Sequence, residues 1–327
     1  MLSIHLENLS YSYQPGSPFE KAALRNISFH IKPGMFLGIA GRSGSGKTTL
    51  LQHLNGLLSP TSGSVLFDGS PAEGLGMLAL RRRIGLVFQR PEDQLFEETV
   101  SRDVAFGLSG TGLSSKETGN RVGEALAAVG LGEEFLERNP FELSHGEKRR
   151  VAIAGVMVMN PSVLVLDEPT AGLDPRGSRE ILDHIGNLRR ERGMTVILAT
   201  HDLEQMARHV ESVLVLDDGR MALAGCTGEV FRNVEALERA GLVPPRITRL
   251  MLKLKKVMPE LNDQIVTVEE AAEELMRLYR KKGYRCSQHD GKSYCGPLYS
   301  GQFDSSHVGP EDEDTAYDHL YGACISC

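Results

Sequence analysis

The sequence predicts an α/β fold built around a mostly parallel sheet, because short apolar runs alternate with helix-length segments from Met35 onward. Runs of this kind are typical of strands that are buried on both faces. They read FLGIA, IGLVF, VLVLD, TVILAT and SVLVLD. Two stretches with an apolar residue at every second position, residues 3–6 and 27–31, come first and predict an antiparallel β subdomain with one wet face. Residues 91–160 show only helical patterning, which predicts a helical subdomain inserted in the α/β core.

The C-terminal third contains the remaining domain boundaries. A strand at 212–216 followed by Asp-Asp-Gly-Arg predicts a hairpin that closes the main domain. After Pro244-Pro245, residues 247–256 and 268–282 read as two amphipathic helices. The predicted units are therefore a main domain at 1–240, a small C-terminal helical domain at 241–283, and an acidic, cysteine-containing flexible tail at 284–327.

Composition excludes several classes of protein. Hydrophobic residues make up 41% and charged residues 24% of the chain, which is ordinary for a globular protein. The net charge is −7, but residues 301–327 carry six acids and no lysine or arginine, so the rest is almost neutral. A neutral body gives no electrostatic footprint for nucleic acid, and no nucleic-acid partner is expected. The apolar runs are far shorter than a spanning helix and the N-terminus lacks signal-peptide features, so we expect the chain in the cytoplasm.

The five cysteines are expected to be reduced thiols, because disulfides belong to exported chains. Four of them lie in the tail, at Cys286, Cys295, Cys324 and Cys327. Four thiolates could bind Zn²⁺ tetrahedrally, but the long acidic and glycine-rich gap between the two pairs specifies no zinc ribbon. Unliganded thiols are the favoured reading, and a metal site is the alternative.

The strongest local signal is a glycine-rich turn between a buried strand and a helix start. Within FLGIAGRSGSGKTTLLQHL, the spacing of Gly41, Gly46, Lys47 and Thr48 fits the phosphate-binding pattern G-x-x-x-x-G-K-[ST]. Backbone N–H groups of such a loop point at phosphate oxygens, the lysine reaches the β and γ phosphates, and the hydroxyl ligates Mg²⁺. The sequence therefore predicts a P-loop NTPase that binds a nucleoside triphosphate with Mg²⁺. The residues expected to contact the nucleotide are Gly41, Ser43, Gly44, Ser45, Gly46, Lys47, Thr48 and Thr49.

A second buried run, SVLVLDEPT, ends in two carboxylates. The carboxyl end of a strand in an α/β sheet faces the ligand crevice, so both acids are expected at the nucleotide. Asp167 suits Mg²⁺, directly or through water. Glu168 could accept a proton from the water that attacks the γ-phosphate, or orient it. If this run stood alone, the alternative would be that both acids are solvent-exposed residues at the end of a strand, without a role in binding.

With these residues in hand, the chain resembles the ATPases of ABC transporters. It carries, in the family's order, the phosphate loop, Gln89 after a strand, LSHGE at 143–147, LVLDEPT at 164–170, AGLD at 171–174 and His201 after TVILAT. The resemblance covers about residues 1–280 and is more specific than the phosphate loop alone. All three residues whose loss would mark a silent regulator, Lys47, Asp167 and Glu168, are present.

The resemblance implies roles for further residues. Gln89 would contact Mg²⁺ and the attacking water and sense a membrane partner, and His201 would contact the γ-phosphate. An aromatic residue near the N-terminus would stack on adenine, which suits Tyr13, with Tyr11 as the open alternative. Asp174 would lie at a dimer interface.

The family works as a head-to-tail dimer, in which a signature segment completes the nucleotide site of the partner. Here Ser144 and the N–H of Gly146 would fill that role. The segment departs from the usual LSGGQ at His145 and at Glu147, and His145 adds a side chain where a backbone approaches the nucleotide. We therefore expect a heterodimer with a second ABC ATPase, with unequal hydrolysis at the two sites.

Residues 90–100, RPEDQLFEETV, are similar to those of the ATPase subunits of energy-coupling-factor importers. That likeness implies a transmembrane coupling subunit, a substrate-capturing membrane subunit, a vitamin or a transition-metal ion such as cobalt or nickel as cargo, and a peripheral place on the cytoplasmic face of the membrane. The alternative is a soluble ABC ATPase acting on ribosomes or DNA. A single cassette without a heptad run disfavours this alternative.

Overall fold

A computed structural model describes residues 2–281, 284–289 and 292–297. The N-terminal sheet is antiparallel, with the strand order β2-β1-β4-β5. Its strands are β1 (Ile4–Tyr13), β2 (Lys21–Ile31), β4 (Ser62–Phe67) and β5 (Ser70–Pro71). The first two extend well beyond the predicted segments, because register shifts on either side of Leu9 interrupt the period-2 pattern without ending the pairing.

The central sheet has six strands in the order β10-β9-β3-β8-β7-β6. They are β3 (Phe36–Ala40), β6 (Ile84–Val87), β7 (Val163–Asp167), β8 (Thr195–Thr200), β9 (Ser212–Asp217) and β10 (Arg220–Cys226). All are parallel except β10, which pairs antiparallel with β9 across the predicted turn. Every residue of β3, β7 and β8 is buried, which is why those runs are apolar without alternation. The predicted α/β fold is confirmed.

Helices cover both faces of this sheet. The core helices are α1 (Lys47–Leu54), α2 (Ala72–Leu75), α3 (Met77–Arg83), α7 (Pro175–Arg192) and α8 (Leu203–His209). The insert contributes α4 (Val100–Phe106), α5 (Ser115–Ala128), α6 (His145–Met157) and 3₁₀ turns at Pro91–Gln94, Glu133–Phe135 and Pro140–Glu142. Residues 91–160 are all described and contain no strand, as the patterning predicts. Apolar side chains of the insert, such as Val104, Leu126 and Val151, join the core that underlies the parallel sheet.

The C-terminal region adds α9 (Thr227–Phe231), α10 (Val234–Arg239), α11 (Arg246–Lys255) and α12 (Val268–Lys281). A small, separate hydrophobic cluster is buried there, as expected for the core of two amphipathic helices. It contains Met251, Leu261, Ile265 and Leu278. No helix in the described part of the chain combines the length and the apolar character that crossing a bilayer requires.

Beyond α12 the backbone forms an antiparallel hairpin of β11 (Tyr284–His289) and β12 (Lys292–Pro297), with Cys286 opposite Cys295 in the register. The sequence analysis expected no regular element there. The Asp-Gly pair at 290–291 is a strong two-residue hairpin signal, and that signal was overlooked. Cys324 and Cys327 lie outside the described residues, so the expectation of unliganded thiols, with a metal site as the alternative, stays a prediction.

Candidate nucleotide site

The phosphate loop, residues 41–48, joins β3 to α1, and its glycines are required by space as well as by conformation. A Cβ at Gly41 would lie 2.3 Å from the Ser45 Oγ and 2.6 Å from the Leu216 carbonyl oxygen. Gly46 has φ +104°, and a Cβ there would lie 2.7 Å from the Ala23 carbonyl oxygen. Side chains at these positions would push the loop out of the groove between the two sheets.

Helix α1 begins at Lys47 with no side-chain cap and no acid in its first turn. Its first N–H groups are therefore available to an anion, which the helix dipole also favours. The Lys47 Nζ donates to the carbonyl oxygens of Gly41 at 2.7 Å and Arg42 at 3.1 Å. Burial lowers the pKa of Lys47, and the nearby charges of Glu168 and Asp167 oppose that shift. A bound phosphate would add a further negative charge to hold the ammonium protonated.

Thr48 and Asp167 form the pair of oxygen donors that the sequence predicts for a metal. The Thr48 Oγ1 donates to the Asp167 Oδ2 at 2.6 Å, and Asp167 is only 3% exposed. Burial raises the pKa of Asp167, while the Thr48 hydroxyl lowers it. Within the described ranges no group of three or more His, Cys, Asp or Glu side chains converges as a metal site. One hydroxyl and one carboxylate fit Mg²⁺, which takes few protein ligands and completes its shell with phosphate oxygens and water.

Glu168 follows the last residue of β7 in a left-handed conformation, with φ 47°, that is uncommon outside glycine. Its N–H donates to the Ala199 carbonyl oxygen of the neighbouring strand at 2.9 Å. Its Oε2 accepts from the Thr200 Oγ1 at 3.0 Å, and its Oε1 lies 2.9 Å from the His201 Nδ1. The Lys47 Nζ is 3.8 Å from the same Oε1. The backbone turn therefore places one carboxylate between a histidine and the phosphate-loop lysine at the edge of the cavity.

Most of the predicted site residues line one cavity of about 620 Å³. Its lining includes the predicted Tyr13, Ser43, Gly44, Gly46, Lys47, Thr48, Thr49, Gln89, Asp167, Glu168 and His201. Gly41 and Ser45 do not line it, because they pack against each other beneath the loop. Ser45 Oγ is buried there and has no hydrogen-bond partner among the described residues.

Of the two tyrosines left open by the sequence, Tyr13 faces the cavity. Its hydroxyl lies 3.0 Å from the Thr49 Oγ1, and its side chain is partly exposed. Tyr11 is not part of the lining and packs edge-on against His53, with ring centroids 4.8 Å apart. The geometry favours Tyr13 as the residue available to a nucleobase in the cavity. The choice depended on the register of β1, which counting along the sequence could not give.

Sequence reasoning missed one side of this cavity. Arg42, Leu242 and Val243 line it, together with residues 21–23 of β2 and the turn at 218–219. Arg42 belongs to the phosphate loop itself, but residues 21–23 and 242–243 match no functional motif, and only folding brings them and the turn at 218–219 to the loop. Gly241, with φ +69°, lets the backbone come close to Arg42, since a Cβ there would lie 2.3 Å from the Arg42 Cδ; in the sequence it is only an isolated glycine.

Ser144, Gly146 and Asp174 are not brought to the phosphate loop of the same chain. Ser144 caps α6, with its Oγ accepting from the Glu147 N–H at 3.3 Å while Glu147 accepts from the Ser144 N–H at 2.8 Å. This is a capping box, which the Ser-x-x-Glu spacing could have predicted. Hydrogen bonds from Ser144 lower the pKa of Glu147. Asp174 caps α7 by accepting from the Gly177 N–H at 2.8 Å. Ser144, Asp174 and His145 are exposed, so they are accessible to a second subunit.

Comparison with known proteins agrees with this geometry. Residues 24–171 match a family model described as ABC transporter. The ATP-binding protein EcfA2 of the energy-coupling factor transporter of Acetivibrio thermocellus is 50% identical over 280 residues, which covers 86% of this chain and all of that protein. EcfA2 of Clostridium perfringens is 45% identical and covers 85% of this chain and 99% of its own.

Solved structures give the same result. The cbiO1 protein of Clostridium perfringens, part of the ABC transporter complex cbiONQ, has a TM-score of 0.65 at 42% identity, covering 76% of this chain and 98% of its own. A dimeric ATP-binding cassette, MJ0796, in a post-hydrolysis state with ADP and Pi, has a TM-score of 0.61 at 33% identity. The match covers 68% of this chain and 98% of that one. The chain therefore belongs to the ATPases of ABC transporters, in the group of energy-coupling factor transporter ATP-binding proteins.

Proposed function

We propose that this ATPase holds ATP with Mg²⁺ on the phosphate loop and hydrolyses it with Glu168 as the base. The observation that carries the proposal is the convergence of Lys47, Thr48, Asp167 and Glu168 within hydrogen-bond or ion-pair distance at the carboxyl edge of the parallel sheet. The uncapped start of α1 faces the same cavity. Thr48 and Asp167 would hold Mg²⁺, which when bound neutralises charge on the phosphate oxygens.

In this proposal the chemistry is an attack of water on the γ-phosphorus. The water oxygen forms a bond to phosphorus as the bond to the β–γ bridging oxygen breaks, which leaves ADP and phosphate. Glu168 accepts the water proton, and Gln89 and His201 orient the water and the γ-phosphate. Lys47 stabilises the charge that accumulates on the phosphate oxygens. Tyr13 stacks on the adenine ring.

A second ABC ATPase subunit completes each site in this proposal. Ser144 and the Gly146 N–H of one subunit would cover the phosphates bound by the other, and Asp174 would lie between the two. Ser144 and Asp174 are exposed, Gly146 is half-buried, and none of the three lines the cavity of its own chain, which supports a head-to-tail arrangement. His145 supports a partner of different sequence, because its side chain occupies a position where a glycine would let the backbone approach the phosphates.

The work of hydrolysis would drive uptake of a vitamin or a transition-metal ion through a transmembrane coupling subunit and a substrate-capturing subunit, from the cytoplasmic face of the membrane. An exposed aromatic pair supports a docking surface close to Gln89. Phe96 and Phe106 are 55% and 57% exposed, and their rings meet edge-on at 5.0 Å. Asp103 fixes this segment by accepting from the N–H groups of Phe96 at 2.9 Å and Glu97 at 3.0 Å. Two exposed aromatic rings in contact, seven residues after Gln89 at Phe96, give this segment an apolar surface that a membrane subunit could cover.

The test of the nucleotide site is Lys47→Ala. We expect this variant to lose at least tenfold in affinity for a fluorescent ATP analogue and most of its turnover, because the buried ammonium that faces the phosphates is removed. Lys255→Ala, which removes an ion pair in the C-terminal domain, is the matched control and should bind as the parent does. Unchanged affinity and turnover in Lys47→Ala would refute the proposed site.

A further inference from the structure

One arginine of α6 is almost completely buried and connects three separate segments. Arg149 is 3% exposed. Its guanidinium holds Glu92 with two parallel hydrogen bonds, from Nε to Oε2 at 3.1 Å and from Nη2 to Oε1 at 2.7 Å. Its Nη1 donates to the Ala171 carbonyl oxygen at 2.6 Å. A planar fork of donors is needed to make all three contacts at once.

Each of these segments carries a residue proposed for the nucleotide. Glu92 lies in the 3₁₀ turn three residues after Gln89. Ala171 lies midway between Glu168 and Asp174. Arg149 itself is on the helix that Ser144 caps. A single side chain therefore connects the loop that contains Gln89, the loop that contains the base, and the helix presented to the partner.

Stability alone is a weak reason to keep this arrangement. Burial by itself raises the pKa of Glu92, but the hydrogen bonds from Arg149, a backbone hydrogen bond and the charges of Arg149 and His145 together hold that pKa below its ordinary value. Taking both charges out of water is costly, and a well-packed apolar pair often serves a core at least as well. A bidentate pair with one further contact instead fixes the relative position of the elements it joins.

The same segment leads toward the exposed aromatic pair. Glu92 precedes Phe96 by four residues, and Asp103 fixes the intervening turn to α4. A displacement of the aromatic pair therefore has a short route along the backbone to Glu92, and from its carboxylate through Arg149 to the Ala171 carbonyl. The ion pair between Arg149 and Glu92 lies within the insert, and the Arg149 hydrogen bond to the Ala171 carbonyl oxygen extends it to the segment after Glu168.

We propose that Arg149 is a positioning residue that makes the Gln89 loop, the loop after Glu168 and the partner-facing helix α6 move as one unit when ATP binds. The inference rests on the proposed nucleotide site and goes beyond it, because it assigns the mechanical link between that site and the aromatic pair. Arg149 does not line the nucleotide cavity, so it would act through the segments that it joins.

The test is hydrogen exchange of the isolated chain with and without Mg-ATP, in a Glu168→Gln background so that the nucleotide persists. In this parent, ATP should slow exchange in three segments, namely residues 41–49, 89–96 and 169–174. Adding Arg149→Lys, which can pair with Glu92 but cannot also reach Ala171 with a fork, should leave the effect at 41–49 and reduce the effect at 89–96 about tenfold. A tenfold loss is within the range of measured coupling between sites.

Two further variants separate positioning from packing. Arg150→Met removes an ion pair with Glu180 of α7, at 2.6 Å, from the next residue of the same helix, and should leave all three responses unchanged. Glu92→Gln keeps the shape of the carboxyl group and should lose the response as Arg149→Lys does, so the test does not depend on one variant folding. A full response in either Arg149→Lys or Glu92→Gln, or an equal loss in Arg150→Met, overturns the proposal. Absence of any response at 41–49 in the parent overturns the nucleotide site itself.

Discussion

Replacing the carboxylate of Glu168 by an amide should separate nucleotide binding from hydrolysis. The Lys47 Nζ and the Glu168 Oε1 are 3.8 Å apart, and both side chains are nearly buried, at 8% and 12% exposed. At an effective dielectric constant of ~20, two unit charges at that distance interact by about 4 kcal/mol. A phosphate group bound beside Lys47 would be repelled by the Glu168 carboxylate with an energy of comparable size. Glu168→Gln removes that repulsion, and it also removes the group that accepts the proton.

We therefore expect Glu168→Gln to bind ATP at least as tightly as the parent and to lose roughly 10²- to 10⁴-fold in turnover, the usual contribution of a positioned base. The assay is a fluorescent-nucleotide titration beside a single-turnover phosphate-release measurement, with size exclusion to detect accumulation of a closed dimer. Glu211→Gln, which alters an acid paired with Arg189 outside the cavity, is the control and should leave both quantities unchanged. Turnover within about tenfold of the parent would refute the role of Glu168 as base.

Gly41→Ala should weaken ATP binding more than tenfold and lower the free energy of unfolding by about 1–3 kcal/mol, because its Cβ would lie 2.6 Å from the Leu216 carbonyl oxygen. Thermal unfolding and a nucleotide titration measure the two effects. The control is Gly123→Ala, which has open space around the added Cβ. Asp167→Asn should raise the free energy of unfolding at pH 7 by about 0.5–2 kcal/mol while abolishing turnover. Burial raises the pKa of Asp167 in the folded state, so the parent loses stability as pH rises through that pKa. The stability gained by Asp167→Asn should therefore shrink toward acid pH. A gain that grows in acid would contradict this. His145→Gly in a mixed dimer with the second ATPase should speed steady-state turnover, and an unchanged rate would count against unequal sites.

The fold was predictable where burial is uniform. The runs in β3, β7 and β8 are apolar throughout because both faces of those strands are covered, and no partner strand need be known to recognise them. The N-terminal sheet was predicted only in part. Its bulges shift the register, so the periodic signal stops while the hydrogen-bonded pairing continues.

The site was predictable where a short segment carries its own geometry. The phosphate loop needs only local backbone, and its glycine spacing was therefore visible in the sequence. The position of Leu242 and Val243 beside Arg42 was not predictable, because these two residues lie far from the phosphate loop in the chain and match no motif. The choice between Tyr13 and Tyr11 likewise waited for the register of β1 against its neighbours.

By itself, the sequence determined the chemistry: a phosphate loop, two carboxylates after a buried strand, and the ordered series of motifs that marks an ABC ATPase. Those features are local, so the residue types and their spacing are sufficient to specify them. Only the tertiary structure decided which groups meet, including the contact of Glu168 with His201 and the burial of Arg149 between Glu92 and Ala171. Such contacts join strands and helices far apart in the chain, and their distances depend on packing that no local pattern encodes.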